Sequence, residues 1–323
     1  MALVRRTRRH RYSSDSDTDD VELPNIILDE NRFRSSLFGH HVSMMSHNVD
    51  VAQLLRNMGK LELYCDAPEE SFYEPSKDCS VDVTLEEALH FPQKVSTRLP
   101  TDTSMYQQLT LRSLKTMWCR LVAHYFEWVA GIPELRLIDV RKRINLIALQ
   151  LCKVICLTVS YWTYTHNHNG VIFGSGICFN PSESKEEGLR NYVTELGDVL
   201  QLNVVSAFRT LRISREEYLL MKLIAFFDCP RLQLSPADRH IVDMALKRYQ
   251  SALVEHVRLT HPTLTHDAIV ARISALFGVF PYLEILTEVD QMHLSQFTIQ
   301  NSGNLHGTLT CEIHVNVVRS YST

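Results

Sequence analysis

The side chains able to do chemistry in this chain are cysteines and histidines, and their spacing argues against most of it. Eight cysteines stand at 65, 79, 119, 152, 156, 178, 229 and 311. No two form a C-x-x-C, the spacing that closes a zinc module, so no such module is expected. Cys152 and Cys156 lie four apart on an apolar stretch and could share a metal from one helix face; their surroundings favour two small hydrophobes in a reduced core. His166 and His168 flank Asn167 in a polar turn with no third ligand nearby, which reads as a solvated loop. His124, beside Tyr125 and Phe126, reads as a packed histidine. Gly174-Ser175-Gly176 lacks the G-x-S-x-G of a nucleophile elbow, and no glycine-rich phosphate loop occurs. No catalytic residue, metal or cofactor is expected, and the chain does not read as an enzyme.

The elements that would position any site are helical. With 323 residues, 45% hydrophobic and 22% charged, the chain has material for a real core and is neither collagen-like, disordered nor disulfide-stapled. A net charge of −4 supplies no basic field for nucleic acid. Gly and Pro number 11 each, too few for a fold built on many tight turns. Residues 1–22 form a tail, basic from Arg5 to Arg11 and acidic from Asp15 to Asp20. It reads either as a nuclear-import patch beside a phosphorylatable stretch or as a solvated tail without an address. The arginines precede no apolar run, so no secretory leader is expected.

Residues 23–80 read as a weakly structured, hinge-like segment with one short helix from Asp50 to Met58, closed at Gly59. Its Val51-Ala52-Gln53-Leu54-Leu55 approaches an L-x-x-L-L docking helix, but the first position is wrong and a packing helix fits better. From Val81 the punctuation is dense. Thr84 and Glu87 make a capping box, with Pro92 ending that turn. A helix from Ser104 to Ala130 carries Leu111, Leu114, Trp118, Leu121, Val122, Tyr125 and Val129 on one face. Ile144 to Thr163 is apolar nearly all round, so it must be covered on several sides by other helices. With Lys153 at its middle it reads as a buried helix rather than a membrane span, and no membrane partner is expected.

Asn169-Gly170 and the apolar runs around Gly174-Ser175-Gly176 read as a β-hairpin. Helices resume over 188–211, then over Leu219 to Phe227 behind a capping box of Ser214 and Glu217, over 236–261, and from Thr265 through Leu283, the last bent at Pro281. From Thr308 to Val317 apolar and polar residues alternate strictly, the period of a strand, so 298–323 is expected to be β-like or disordered. The fold class is all-α: a three-layer antiparallel helical sandwich with one small β-hairpin, its main domain spanning 81–297.

Phe126-Glu127-Trp128-Val129-Ala130-Gly131-Ile132-Pro133-Glu134-Leu135 is similar to the signature joining helices 3 and 4 of the nuclear hormone receptor ligand-binding domain. Asn169 to Gly176 resembles that family's hairpin, Ile213 to Pro230 its helix 8, and Arg272 to Leu283 its helix 10. Leu85-Glu86-Glu87-Ala88-Leu89 with Pro92 and Arg98 resembles the entry segment of the supplementary receptors expanded in nematodes.

The resemblance implies a regulator of transcription in the nucleus, partnered by other nuclear receptors, as homo- or heterodimer, and by co-regulator proteins. It places Leu114, Met117, Trp118, Leu121 and Trp162 at the ligand pocket, and Phe277, Pro281 and Glu284 on the dimer face. Phe277 can equally pack inward. Two indoles in one cavity imply a reduced pocket, for a small neutral lipophile or nothing, unless either turns into ordinary core. Ala130 stands where the family has the lysine that clamps a coactivator helix, and Glu312 is the one acid near the opposite end. The family's two four-cysteine zinc sites have no counterpart here, so DNA contact is expected only indirectly, through a partner. The alternative is a ligand-independent interaction domain that dimerises with and sequesters other receptors.

Overall fold

Asp50 opens α1 (Val51–Asp66) by accepting from the Gln53 amide at 3.0 Å. The computed structural model describes residues 50–66, 79–98, 106–183, 186–230 and 232–316. The 1–22 tail, much of 23–80 and the end of 298–323 lie outside these residues. Helix α1 does not stop at Gly59. Val51, Leu54, Met58, Leu61 and Cys65 form one buried stripe, and that burial outweighs the ~1 kcal/mol propensity cost of one glycine. Leu54 is buried in this stripe, so the segment packs rather than presenting an L-x-x-L-L face.

Thr84 caps α2 (Leu85–His90), accepting from the Glu87 amide at 3.2 Å; Glu87 itself pairs with Lys94. Strand β1 (Gln107–Gln108) precedes α3 (Leu111–Ala130), whose capping box is Thr110 with Ser113, so this helix starts later than Ser104. Asp139 caps α4 (Val140–Thr165) through the Arg141 and Lys142 amides. Strands β2 (Val171–Gly174) and β3 (Ile177–Phe179) pair antiparallel, and β1 adds to β3 in parallel. Gly174 has φ +78°, and a Cβ there would lie 2.7 Å from the Trp162 ring, so this turn needs glycine twice over.

Helix α5 (Glu187–Val199) widens over Leu200–Val205 and runs on through Ser206–Leu211. Ser214 and Glu217 form the capping box read in the sequence, opening α6 (Arg215–Phe227). Arg272 then grips Glu217 bidentately, both bonds 2.7 Å, tying α8 (His266–Phe277) to that cap. Between them α7 (Pro236–Thr260) begins at Ser235. The chain breaks at Gly278, one turn before Pro281, because Pro281 sits in the first turn of α9 (Phe280–Ile299), where its missing N–H costs nothing.

Helices α4 and α6 pack against each other at the centre, with α3 and α9 against α4 and with α1 and α7 against α6. The expected all-α layered sandwich with a small hairpin is the observed fold, with β1 as an added strand. The expected strand near the end is not. Thr308–Thr310 and Cys311–Asn316 are helical and form α10. Alternation at period two also contains pairs four apart. Leu309 with Ile313, and Thr310 with His314, make a buried helical face, and the sheet offers this segment no pairing.

Deep in the middle layer, Lys222 is 1% exposed and Glu62 4%. The ammonium donates to Glu62 Oε1 at 2.9 Å and lies 4.6 Å from the Trp128 ring centre; Tyr218 donates to the same oxygen at 3.0 Å. Glu62→Leu strands a buried ammonium and should cost about 3–5 kcal/mol in urea unfolding, with much of it restored by the double variant Glu62→Leu/Lys222→Met.

Candidate functional site

Helix α3 packs on α4, and the space between them is closed by β2, α5 and α9. Met117, Trp118 and Leu121 line this cavity from α3, Leu151, Ile155, Cys156 and Val159 from α4, and Asp290 and Leu294 from α9. Its free volume is about 20 Å³, room for one water. Tyr192 donates to Asp290 Oδ1 at 2.6 Å, but burial dominates and pushes the Asp290 carboxyl up to about 6.

Trp118 is what fixes the ceiling. Its indole Nε1 donates to His314 Nε2 on α10 at 2.8 Å, with the two rings edge to face. An indole N–H can only donate, so His314 Nε2 accepts and the ring proton sits on Nδ1. Nδ1 then donates to Gln291 Oε1 at 2.9 Å, and the Cys152 thiol donates to that oxygen at 3.3 Å. Gln291 Nε2 returns to the carbonyls of Ile313 and His314 at 3.3 and 3.1 Å. Protonating His314 would set two N–H groups against each other in a buried site, and burial holds its pKa down at about 3. Leu309 donates its amide to Val81 O at 2.9 Å, and Glu312 Oε2 accepts from the Leu85 amide at 2.6 Å. Helix α10 is thus bonded to α3, α9 and the entry of α2.

Of the five residues read as pocket-lining, Met117, Trp118 and Leu121 meet at the cavity and two do not. Leu114 packs under the turn at Gly303, where an added Cβ would come within 2.9 Å of it. Trp162 turns away to Gly174 and stands edge-on to His124 at 5.4 Å, so one indole rather than two fills the cavity. His124 is packed, bonded to Asp66 at 2.9 Å, and burial lowers its pKa. Ala130 ends α3 half-buried, and Glu312 is engaged as the cap of α2. Asp290, Gln291 and His314 carry the polar side of the site and went unread: no motif distinguishes them from the other polar residues of their segments. Among the described residues no cluster of metal-ligating side chains forms.

The dimer-face candidates divide as well. Phe277 is half-buried against Phe280, their ring centres 5.8 Å apart, Pro281 is exposed, and Glu284 pairs with Lys153. Beyond them Val270, Tyr282, Ile285, Met292 and Ile299 are exposed. The most apolar windows of α4 and of the α8–α9 stretch have the same mean hydropathy, 1.7, yet 72% of the first is buried and 22% of the second.

A layered α-helical sandwich, with a small apolar cavity closed by a helix near its end, defines a ligand-binding-domain architecture. The family model described as the ligand-binding domain of nuclear hormone receptor matches residues 100–296. The chain belongs to that family. It is 22% identical over 256 residues to the nuclear hormone receptor family member nhr-100 of Caenorhabditis elegans, covering 76% of this chain and 57% of that protein. It is 26% identical over 177 residues to the family member nhr-4 of the same organism, covering 55% of this chain and 36% of that one. The chain therefore spans little more than half the length of the first of these relatives.

His314 is neutral at pH 6.5 in the fold but half-charged when unfolded, so its support is complete above that pH and erodes as pH falls towards 3. The stability advantage of wild type over His314→Asn should shrink by about 1.4 kcal/mol per pH unit below 6.5 in urea titrations. Comparing the two variants cancels Asp290, whose raised pKa acts in the opposite sense. Trp118→Phe removes the one donor to His314 Nε2 and should cost about 1–3 kcal/mol, read as faster amide exchange in α10.

Proposed function

We propose that this chain regulates transcription in the nucleus as a receptor module whose α10 is held by its own side chains rather than by a bound lipophile. The observation that carries this reading is a cavity of about 20 Å³ under a Trp118 already hydrogen-bonded to His314. A ligand of ordinary size would first have to displace packed side chains, at a cost its own burial must exceed. Any ligand that does enter would be a small neutral lipophile. The described lining offers no cation for a carboxylate, and Asp290 opposes one.

The exposed apolar face of α8 and α9 supports dimerisation with a second receptor chain as the working contact. Within these 323 residues no paired four-cysteine module occurs, so these residues are proposed to reach DNA only indirectly. Ala130 in place of a clamping lysine, and Glu312 spent on α2, favour co-regulator contacts other than a charge clamp. Sequestration of other receptors through the same face is the second reading, and it rests on that exposed stretch alone.

Neutral lipophiles and fatty acids should leave the melting temperature of the purified chain unchanged, whereas a bound ligand at a hundred times its Kd adds about 2.7 kcal/mol. A lipid carried through purification in stoichiometric amount would overturn the reading. In sedimentation experiments Ile285→Asp should shift the chain from dimer to monomer while leaving its helical circular dichroism intact.

A further inference from the structure

A second cavity lies outside the family's pocket, between α4, the residues that follow α6 and the first turns of α9. Its free volume is about 330 Å³, against about 20 Å³ for the cavity under Trp118. It falls in the range of pockets that enclose small ligands. Its floor is polar and deeply buried. Gln150 is 2% exposed and Lys153 5%. Lys153 donates to the Asp228 carbonyl at 2.8 Å and pairs with the carboxylate of Glu284, whose side chain is 40% exposed. Gln150 Nε2 reaches the same carbonyl at 3.4 Å, which leaves its Oε1 buried with no hydrogen-bond partner.

Among the described lining residues two are acidic, Asp228 and Glu284, and one is basic, Lys153. What the cavity's described lining leaves unmet is a hydrogen-bond donor for Gln150 Oε1, near a carboxylate, Glu284, that is only partly buried. Its wall supplies the ring of Phe280 and the flat face of Pro281, which suit an aromatic body and attract a cation held above the ring. An anion would have to displace Glu284 from Lys153 and would still leave the Gln150 acceptor unmet.

We infer that this cavity is a second small-molecule site, built for a protonated aromatic monoamine. The ammonium enters between Glu284 and Asp228, and Gln150 turns its Oε1 to accept one N–H. Glu284 keeps one carboxylate oxygen on Lys153 and offers the other to the incoming cation, as its partial exposure permits, and Lys153 keeps its bond to the Asp228 carbonyl. The inference is independent of whether the cavity under Trp118 ever takes a ligand.

The test is calorimetric titration of the full chain with three probes of one shape: 2-phenylethylammonium, 2-phenylethanol and 3-phenylpropionate. The ammonium should bind with Kd of about 0.1–1 mM, the alcohol about tenfold more weakly, and the carboxylate not at all. Glu284→Gln should weaken the ammonium about tenfold, and Phe280→Leu several-fold, with melting temperature followed to show that both variants fold. Absence of ammonium binding up to about 10 mM overturns the inference. So does equal binding of ammonium and alcohol, or an ammonium affinity that Glu284→Gln leaves unchanged.

Discussion

Burying a helix on both sides leaves its polar groups nowhere to go but inward, and the middle layer is organised by that constraint. Helix α6 lies between α1 and α7, and every side chain from Glu217 to Phe227 is buried, Lys222 among them. An ammonium without an anion there would cost about 3–5 kcal/mol, a large share of the fold's margin of stability. Glu62 supplies that anion from α1, so the first described helix is part of the core rather than an appendage. The cap of α6 follows the same logic. Glu217 serves the Ser214 amide and the Arg272 fork together, and in doing so registers α8 against α6.

The cavity under α3 shows how the same pressure acts on a site. A large apolar pocket can remain dry and empty only at a cost that grows with its volume. Here an indole fills most of the space, and its one polar atom needs an acceptor. His314 meets it, and Gln291 meets His314. The chain of bonds ends on the backbone of α10, so the filling of the pocket and the position of α10 are one event. Apolar burial alone would allow α10 to slide. Hydrogen bonds whose donors and acceptors are all matched allow one register.

Much of this layout was legible in the sequence. The all-round apolar run of α4 required helices on two sides, the Ser214–Glu217 box marked the start of α6, and Asn169 to Phe179 marked the hairpin. Each is a local signal that tertiary packing reinforces. The failures are equally specific. Gly59 looked like a stop, because glycine's intrinsic preference is visible in sequence and the buried stripe of α1 on α3 and α6 is not. Thr308 to Val317 looked like a strand, because strict alternation is compatible with either period over so short a length, and only the absence of a pairing partner decides. Trp162 was placed at the pocket by resemblance, yet Gly174 at the end of β2 leaves room for its ring against the hairpin. Trp118 and His314 lie 196 residues apart in the chain, and nothing local announces that they meet or that Gln291 joins them.

Helix α9 is where these threads join. One face carries Asp290, Gln291 and Leu294 towards the cavity and α10. Its first turns carry Phe280, Pro281 and Glu284 towards the second cavity, and its outer face carries Tyr282, Ile285 and Met292 towards solvent. A helix of this length transmits displacement as a body, since its backbone bonds resist bending except at a break, and the break at Gly278 lies before it begins. Anything bound on the outer face or at the first turns therefore acts on the same rigid element that holds Gln291 against His314. The distance from Gln291 Nε2 to the carbonyls of α10 is already 3.1–3.3 Å, so a shift of a few tenths of an ångström takes those bonds past useful geometry.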